Sequence, residues 1–185
     1  MTIQWIPYKK LIISTNNFYM RSLTERDISK QQVAWLNDPE TNKWLNSYYK
    51  KHTLKSTKNY VNKHDNFNKI HIGIFLKDQT THIGNFSILI DHYHKTAEIR
   101  VLIGNKKWWG KNVVIECRHE IIRWLFQDLN MFKIFGNPII ENVAAIFNYQ
   151  RQGFKCEAIL KDHKLKKNLE RADVGFFSIY RQDWK

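Results

Sequence analysis

Cysteine, proline and glycine are scarce in this chain: two, three and seven among 185 residues. Cys117 and Cys156 form no CxxC pair, which excludes a disulfide framework and a paired-thiolate zinc site, and both are read as buried thiols. The shortage of glycine and proline excludes collagen-like and low-complexity organisation. No uninterrupted apolar run reaches the roughly 18 residues of a membrane-spanning helix. The first residues do not set a basic stretch before an apolar one as a leader would. The expectation is a soluble, cytoplasmic protein with no membrane partner. The eight histidines are not at ligand spacing, His92 and His94 falling in a polar turn, so no metal is expected. Acidic residues are also few, 17 against 30 Lys plus Arg, which leaves a net charge of +13. Such a surface attracts polyanions, whether an acidic cofactor, a nucleotide-linked substrate, or RNA and DNA.

Apolar residues are plentiful at 43%, enough to bury the core of a single domain covering 1–185. Residues 18–23 alternate as an opening strand, and Thr24-Glu-Arg-Asp27 opens a helix that Pro39 ends. A second helical piece is read around Trp44, Leu45 and Tyr48, and a third over 53–63. Strands follow at 70–76, 81–90 and 96–103. Val114, Cys117, Ile121 and Leu125 then recur at helical spacing in a long helix over 110–129. A short strand at 132–135, a helix over 141–152 ended by Gly153, and strands at 154–160 and 173–180 complete the chain. The charged 161–171 stretch is read as a loop or hairpin tip. This order implies a mixed α/β fold, one mixed, twisted sheet of about seven strands flanked by helices.

Two segments carry chemistry. After the strand at 96–103, Trp109-Gly110-Lys111-Asn112-Val113-Val114 enters the long helix. A Gly-Lys turn there aims unsatisfied backbone N–H groups and the positive end of the helix dipole at an anion such as a pyrophosphate. Further on, Asn142, Ala145 and Tyr149 stand at i, i+3 and i+7, so an amide, a small residue and a phenol share one helical face and can line one cleft.

With Asn142-x-x-Ala145-x-x-x-Tyr149-x-x-x-Gly153-Phe154 in this order, the chain resembles the GNAT family of acyl-CoA-dependent N-acetyltransferases. The likeness runs from Tyr19-Met-Arg-Ser-Leu-Thr-Glu-Arg-Asp27 to the last strand. Through Trp35-Leu36-Asn37-Asp38-Pro39-Glu40, Ala97-Glu98-Ile99 and Trp109-Gly110-Lys111 it is most similar to the branch of ribosomal-protein, polyamine and amino-sugar acetyltransferases. The resemblance implies acetyl-CoA as cosubstrate and a pyrophosphate loop formed by Trp109, Gly110, Lys111, Asn112, Val113 and Val114. It implies that the backbone of Leu102 and Ile103 pairs with the pantetheine amides and that Asn142, near Ala145, bonds the cofactor arm. Tyr149 would stand near the sulfur and protonate the leaving thiolate. A phenol with an ordinary pKa of about 10 is neutral at pH 7 and fit to donate. The loop departs from the family pattern at two positions that are normally small. Asn112 tolerates left-handed backbone angles, whereas the branched Val114 crowds a backbone that must approach phosphate. Weaker acetyl-CoA binding, a shifted pose or a different acyl donor would follow.

Acyl transfer also needs a neutral amine and a polarised carbonyl. Glu98 is the candidate base, directly or through a water, and a backbone N–H near Leu102 the candidate polariser. Asp38 and Glu40 are candidates to meet the substrate. The expected acceptor is a primary amine on a small molecule or a peptide. Lys50, Lys51, Lys55 and Lys58 on one flank, with Lys161, Lys164, Lys166 and Lys167 on the other, would repel polycations and attract a diphosphate, which favours a nucleotide-linked amino sugar. A protein or peptide N-terminus is the alternative, as is a catalytically weak binding protein of the same fold. An RNA-directed role rests on charge alone, because the sequence shows no basic and aromatic residues interleaved on one face. Monomer and homodimer both fit the sequence.

Overall fold

The strands are β1 (Thr2–Ile6), β2 (Lys10–Ser14), β3 (Phe18–Ser22), β4 (Lys69–Leu76), β5 (His82–Asp91), β6 (Thr96–Ile103), β7 (Lys133–Gly136), β8 (Lys155–Leu165) and β9 (Arg171–Tyr180). In the computed structural model, which describes residues 2–166 and 168–184, they form one mixed sheet in the order β1-β2-β3-β4-β5-β6-β7-β9-β8. The helices are α1 (Lys30–Asn37), α2 (Leu54–Val61), α3 (Val113–Arg123) and α4 (Val143–Arg151). Side chains alternate across a strand, so β4 shows how both faces are covered. Its Ile70, Ile72 and Ile74 are fully buried in the main core with Val113, Cys117 and Ile121 of α3, while Phe75 joins Leu23, Ile28 and Val61 in a second cluster.

The sheet has nine strands rather than seven, because an N-terminal hairpin of β1 and β2 adds to β3. Leu11 and Ile13 of β2 are fully buried. Pro7 marks the turn between them, but the residue after it gives no hairpin signal: Tyr8 itself takes the left-handed conformation, with φ 61°, that Gly or Asn would announce. The helix expected around Trp44 does not form. Residues there make turns, and Trp44 packs instead on Ile139, Ala172 and Val174. The long helix ends its α-geometry at Arg123 and continues as one π-helical turn over Trp124–Asp128. Strand β8 runs through the charged residues to Leu165, since an edge strand does not require an apolar face. Cys117 is buried as expected, but Cys156 lies exposed on that edge.

The feature that positions a site is a fork. Parallel strands β6 and β7 pair only from Thr96 to Glu98, against Lys133 to Phe135. Strand β7 then follows β9, so Ile99 to Ile103 have no strand on that side among the described residues.

Candidate active site

Strand parity decides which atoms of β6 face the fork. The Gly104 N–H donates to the Ile83 carbonyl at 3.0 Å, so Gly104 and, counting back by twos, Leu102, Arg100 and Glu98 turn their peptide groups toward β5. Ile99, Val101 and Ile103 turn theirs to the fork. Two side chains reach them there. The Tyr149 hydroxyl donates to the Ile99 carbonyl at 3.3 Å, and the Trp109 indole N–H to the Ile103 carbonyl at 2.8 Å. Leu102, expected to pair with a ligand, belongs instead to the β5 ladder opposite Asn85. The open peptide groups are those of Val101 and the N–H of Ile103.

Tyr149 enters the fork from α4. Asn142 caps that helix, its side-chain oxygen accepting the Ala145 N–H at 3.2 Å, and Ala145 precedes Tyr149 by one turn on the same face. The phenol ring stacks on Phe177 at 5.6 Å and is 6% exposed. Glycine at 136 makes room for it, because a Cβ there would lie 1.9 Å from the hydroxyl oxygen. Burial raises the Tyr149 pKa, and the nearby Glu98 charge adds to it while Arg118 opposes. The Arg118 guanidinium lies 4.3 Å from the ring centroid. Arg118 is 1% exposed, with its Nε donating to Gln152 Oε1 at 2.5 Å and its Nη2 unpartnered. Burial lowers its pKa, but a guanidinium remains charged.

Glu98 comes to the fork from the other face of the sheet, as strand alternation requires. It is buried, and Arg100 grips both carboxylate oxygens, from Nε at 2.7 Å and Nη2 at 2.6 Å. The structure therefore brings a carboxylate and a phenol to one opening from opposite sides.

The turn from Trp109 to Val114 leads into α3. Gly110 and Asn112 both have left-handed backbones, φ 71° and 57°. The glycine meets its value without cost, and asparagine is among the side chains that tolerate it best. Asn112 is the N-cap of α3, yet its side chain does not cap; its Oδ1 accepts from Arg151 Nη1 at 2.9 Å. Among the described residues, the first-turn N–H groups of this eleven-residue helix thus have no side-chain partner. Lys111 is exposed, Val113 buried and Val114 half-buried. Bare amides, a helix N-terminus and two nearby cations fit a pyrophosphate.

A cavity of about 760 Å³ opens between the 45–49 turns and the β8–β9 hairpin, lined by Leu45, Tyr48, Tyr49, Ile139, Lys164 and Leu165 among others. Tyr48 fixes its wall by donating to the Leu165 carbonyl at 2.6 Å. Lys164 is half-buried; burial first and then the Arg100 charge pull its pKa down, while Glu98 pushes it up. Two of the other expected lysines on the hairpin are engaged in ion pairs. Lys161 pairs with Asp173 at 2.6 Å and Lys166 with Glu141 and Glu170 at 3.0 and 2.9 Å, and Lys167 lies outside the described residues. Lys50, Lys51 and Lys55 are exposed, and Lys58 half-buried. Asp38 and Glu40 hold Lys106 at 2.9 and 2.6 Å, tying the end of α1 to the approach of the Trp109 turn. That lysine pulls Asp38 down to about 2.

Sequence reasoning missed Arg100, Arg118, Arg151 and Val101. Arg100 was legible, standing two residues from Glu98 on the same strand face. Arg118 was signalled by a charge one position after Cys117 in an otherwise apolar helical stripe. Arg151 and Val101 depend on tertiary pairing.

A family model described as an acetyltransferase (GNAT) domain matches residues 17–155. Among solved structures, the fold is shared with a GNAT-family acetyltransferase from Bacillus anthracis, at TM-score 0.78 and 18% identity over 92% of this chain and 99% of that one. It is shared with ribosomal-protein-S5-alanine acetyltransferase from Vibrio fischeri, at 0.75 and 16% over 94% and 98%. Spermidine N-acetyltransferase from Vibrio cholerae, solved with CoA and spermine, matches at 0.78 and 20% over 90% and 96%. At such identities the likeness shows the fold alone.

Proposed function

Because the chain belongs to the acetyltransferase (GNAT) family and is an acyltransferase, we propose that it transfers an acetyl group from acetyl-CoA to the primary amine of a nucleotide-linked amino sugar. The observation that carries the acceptor class is the cavity beside the fork, with two tyrosines and the half-buried Lys164 in its wall. Tyrosine faces suit a sugar or a nucleobase, and a cation suits a diphosphate. The same cation, with Arg100 on Glu98, disfavours a polyamine.

Acetyl-CoA supplies the activated acyl thioester. The uncapped first turn of α3, with Gly110 and Asn112, would hold its pyrophosphate, and the open peptide groups of Val101 and Ile103 its amides. Glu98, oriented by Arg100, keeps lone pairs with which to take a proton from the acceptor ammonium. An N–H on the open edge of β6, that of Val101 or Ile103, polarises the carbonyl under attack. Tyr149 exchanges its long bond to Ile99 for the departing sulfur and delivers its proton there. Arg118 steadies the charge left on the ring until the phenolate takes up the second proton, which the attacking nitrogen sheds as it becomes an amide.

Offering nucleotide-linked amino sugars, spermidine and N-terminal peptides with acetyl-CoA, and following thiol release, tests the assignment. Turnover on the nucleotide-linked amine is expected. Efficient reaction with spermidine alone refutes the charge argument, and reaction with peptides alone makes the protein an N-terminal acetyltransferase.

A further inference from the structure

Three turns far apart in sequence meet at the end of the sheet where β6 begins, opposite the Trp109 turn: residues 7–9, 62–68 and 91–95. Hydrogen bonds fasten them. Asn66 Nδ2 donates to the Lys9 carbonyl and the Trp5 indole N–H to the Asn66 carbonyl, both at 3.1 Å. A ring nitrogen of His92 lies 3.3 Å from the Phe67 carbonyl.

The rings in these turns build a column. Tyr8 stacks on Phe67 at 4.5 Å between centroids and 24° between planes, and His92 stacks on Phe67 at 4.1 Å and 16°. Tyr8 ends the column with 65% of its surface exposed, and Tyr93 nearby is 88% exposed. The left-handed backbone of Tyr8, φ 61°, is one that an aromatic residue holds only when its surroundings impose it. Lys9, Lys10, Lys63, Lys69 and Lys95 stand exposed in or beside the same turns. The acids there are engaged locally: Asp65 accepts the N–H groups of Phe67 and Lys69, and Asp91 those of Tyr93 and His94. Neither the fork nor the cavity beside it uses this surface.

We infer that this end of the molecule is a binding site for single-stranded nucleic acid, in which a base extends the column on the open face of Tyr8 while the lysines meet the flanking phosphates. A neutral apolar partner would leave five ammonium groups uncompensated, and a simple anion would leave the column unused. A duplex keeps its bases stacked on one another and cannot offer one to Tyr8.

Fluorescence anisotropy with labelled RNA and DNA single strands of about 12 nucleotides, at about 50 and 200 mM salt, tests this. A duplex of the same length and inorganic polyphosphate serve as competitors. Single strands should bind, the two competitors should displace them poorly, and Tyr8→Ala should weaken binding about 5- to 150-fold. Tyr8→Phe, which keeps the stack, should bind like wild type. The pair Lys9→Gln with Lys95→Gln should reduce the salt slope by about 1.4. A single cooperative thermal transition and unchanged acetyl transfer by Tyr8→Ala would show that the fold is intact, apart from the few degrees of Tm that loss of the stack itself costs. Equal binding by folded Tyr8→Ala, displacement by polyphosphate as effective as by unlabelled single strand, or no binding of either single strand at the lower salt overturns the proposal.

Discussion

Replacing Tyr149 by Phe removes one oxygen atom from the fork and leaves the ring in place between Phe177 and Arg118. Two effects separate cleanly. The hydroxyl donates one 3.3 Å bond to a buried carbonyl, a long neutral contact whose loss costs about 1 kcal/mol. For a chain of this size that lowers Tm by about 2–4 °C. Catalysis loses far more. If the phenol protonates the leaving thiolate, kcat falls by roughly 100- to 10,000-fold, or about 3–5 kcal/mol of barrier. Acetyl-CoA binding should hardly change, because the turn from Trp109 to Val114 and the open edge of β6 are intact. Burial keeps the phenol protonated beyond pH 10, so the wild-type alkaline limb should not report this group in the ordinary range. Thiol release with a chromogenic disulfide gives kcat, and titration calorimetry gives affinity. A variant turning over within about threefold of wild type would show that water or another group supplies the proton. Equal losses of kcat and affinity would instead mean that the hydroxyl shapes the cofactor site.

Glu98→Gln should lower kcat near neutrality and recover at high pH, where the acceptor amine is already neutral; a pH–rate profile of unchanged shape removes Glu98 from the role of base. Asn112→Gly combined with Val114→Gly should tighten acetyl-CoA binding measured by calorimetry, because both changes relieve crowding at the turn and the first frees Arg151; unchanged or weaker binding counts against the crowding argument. His71 is buried, which lowers its pKa to about 3, so it stays neutral when folded while the unfolded chain takes up its proton below about pH 6.5. Stability from this residue is complete above that pH and lost as pH falls toward 3, by about 2 kcal/mol at pH 5. Urea unfolding of His71→Asn at pH 7.5 and 5.0 should show a smaller acid loss than wild type, and an equal loss refutes the assignment.

The strands from β4 to β6, the α3 stripe and the α4 face could be read from sequence because their apolar periods are uninterrupted and their ends carry turn residues. The hairpin of β1 and β2 could not, since its turn places Tyr8 where a glycine would be diagnostic. Trp44 misled in the other direction: its local pattern is helical, but a tertiary contact with Val174 takes the side chain. Within the candidate site, spacing alone places Asn142, Ala145 and Tyr149 on one helical face, whereas the roles expected of Tyr149, Glu98 and Asn112 come from the resemblance to the family. The choice between Leu102 and Val101 does not, because which peptide groups of a strand face a gap depends on pairing with β5. The basic and aromatic residues at the far end of the sheet likewise share no local pattern. They become neighbours only when three turns are brought together.

The fork also has a fixed length. Tyr149 closes it at the Ile99 carbonyl and Trp109 at the Ile103 carbonyl, so the unclaimed edge between them spans four residue steps, roughly 13 Å. An exposed strand edge in the middle of a sheet invites other chains to add to it, and here an aromatic side chain occupies the carbonyl at each end of that edge, which shortens the run of peptide groups a passing chain could pair with.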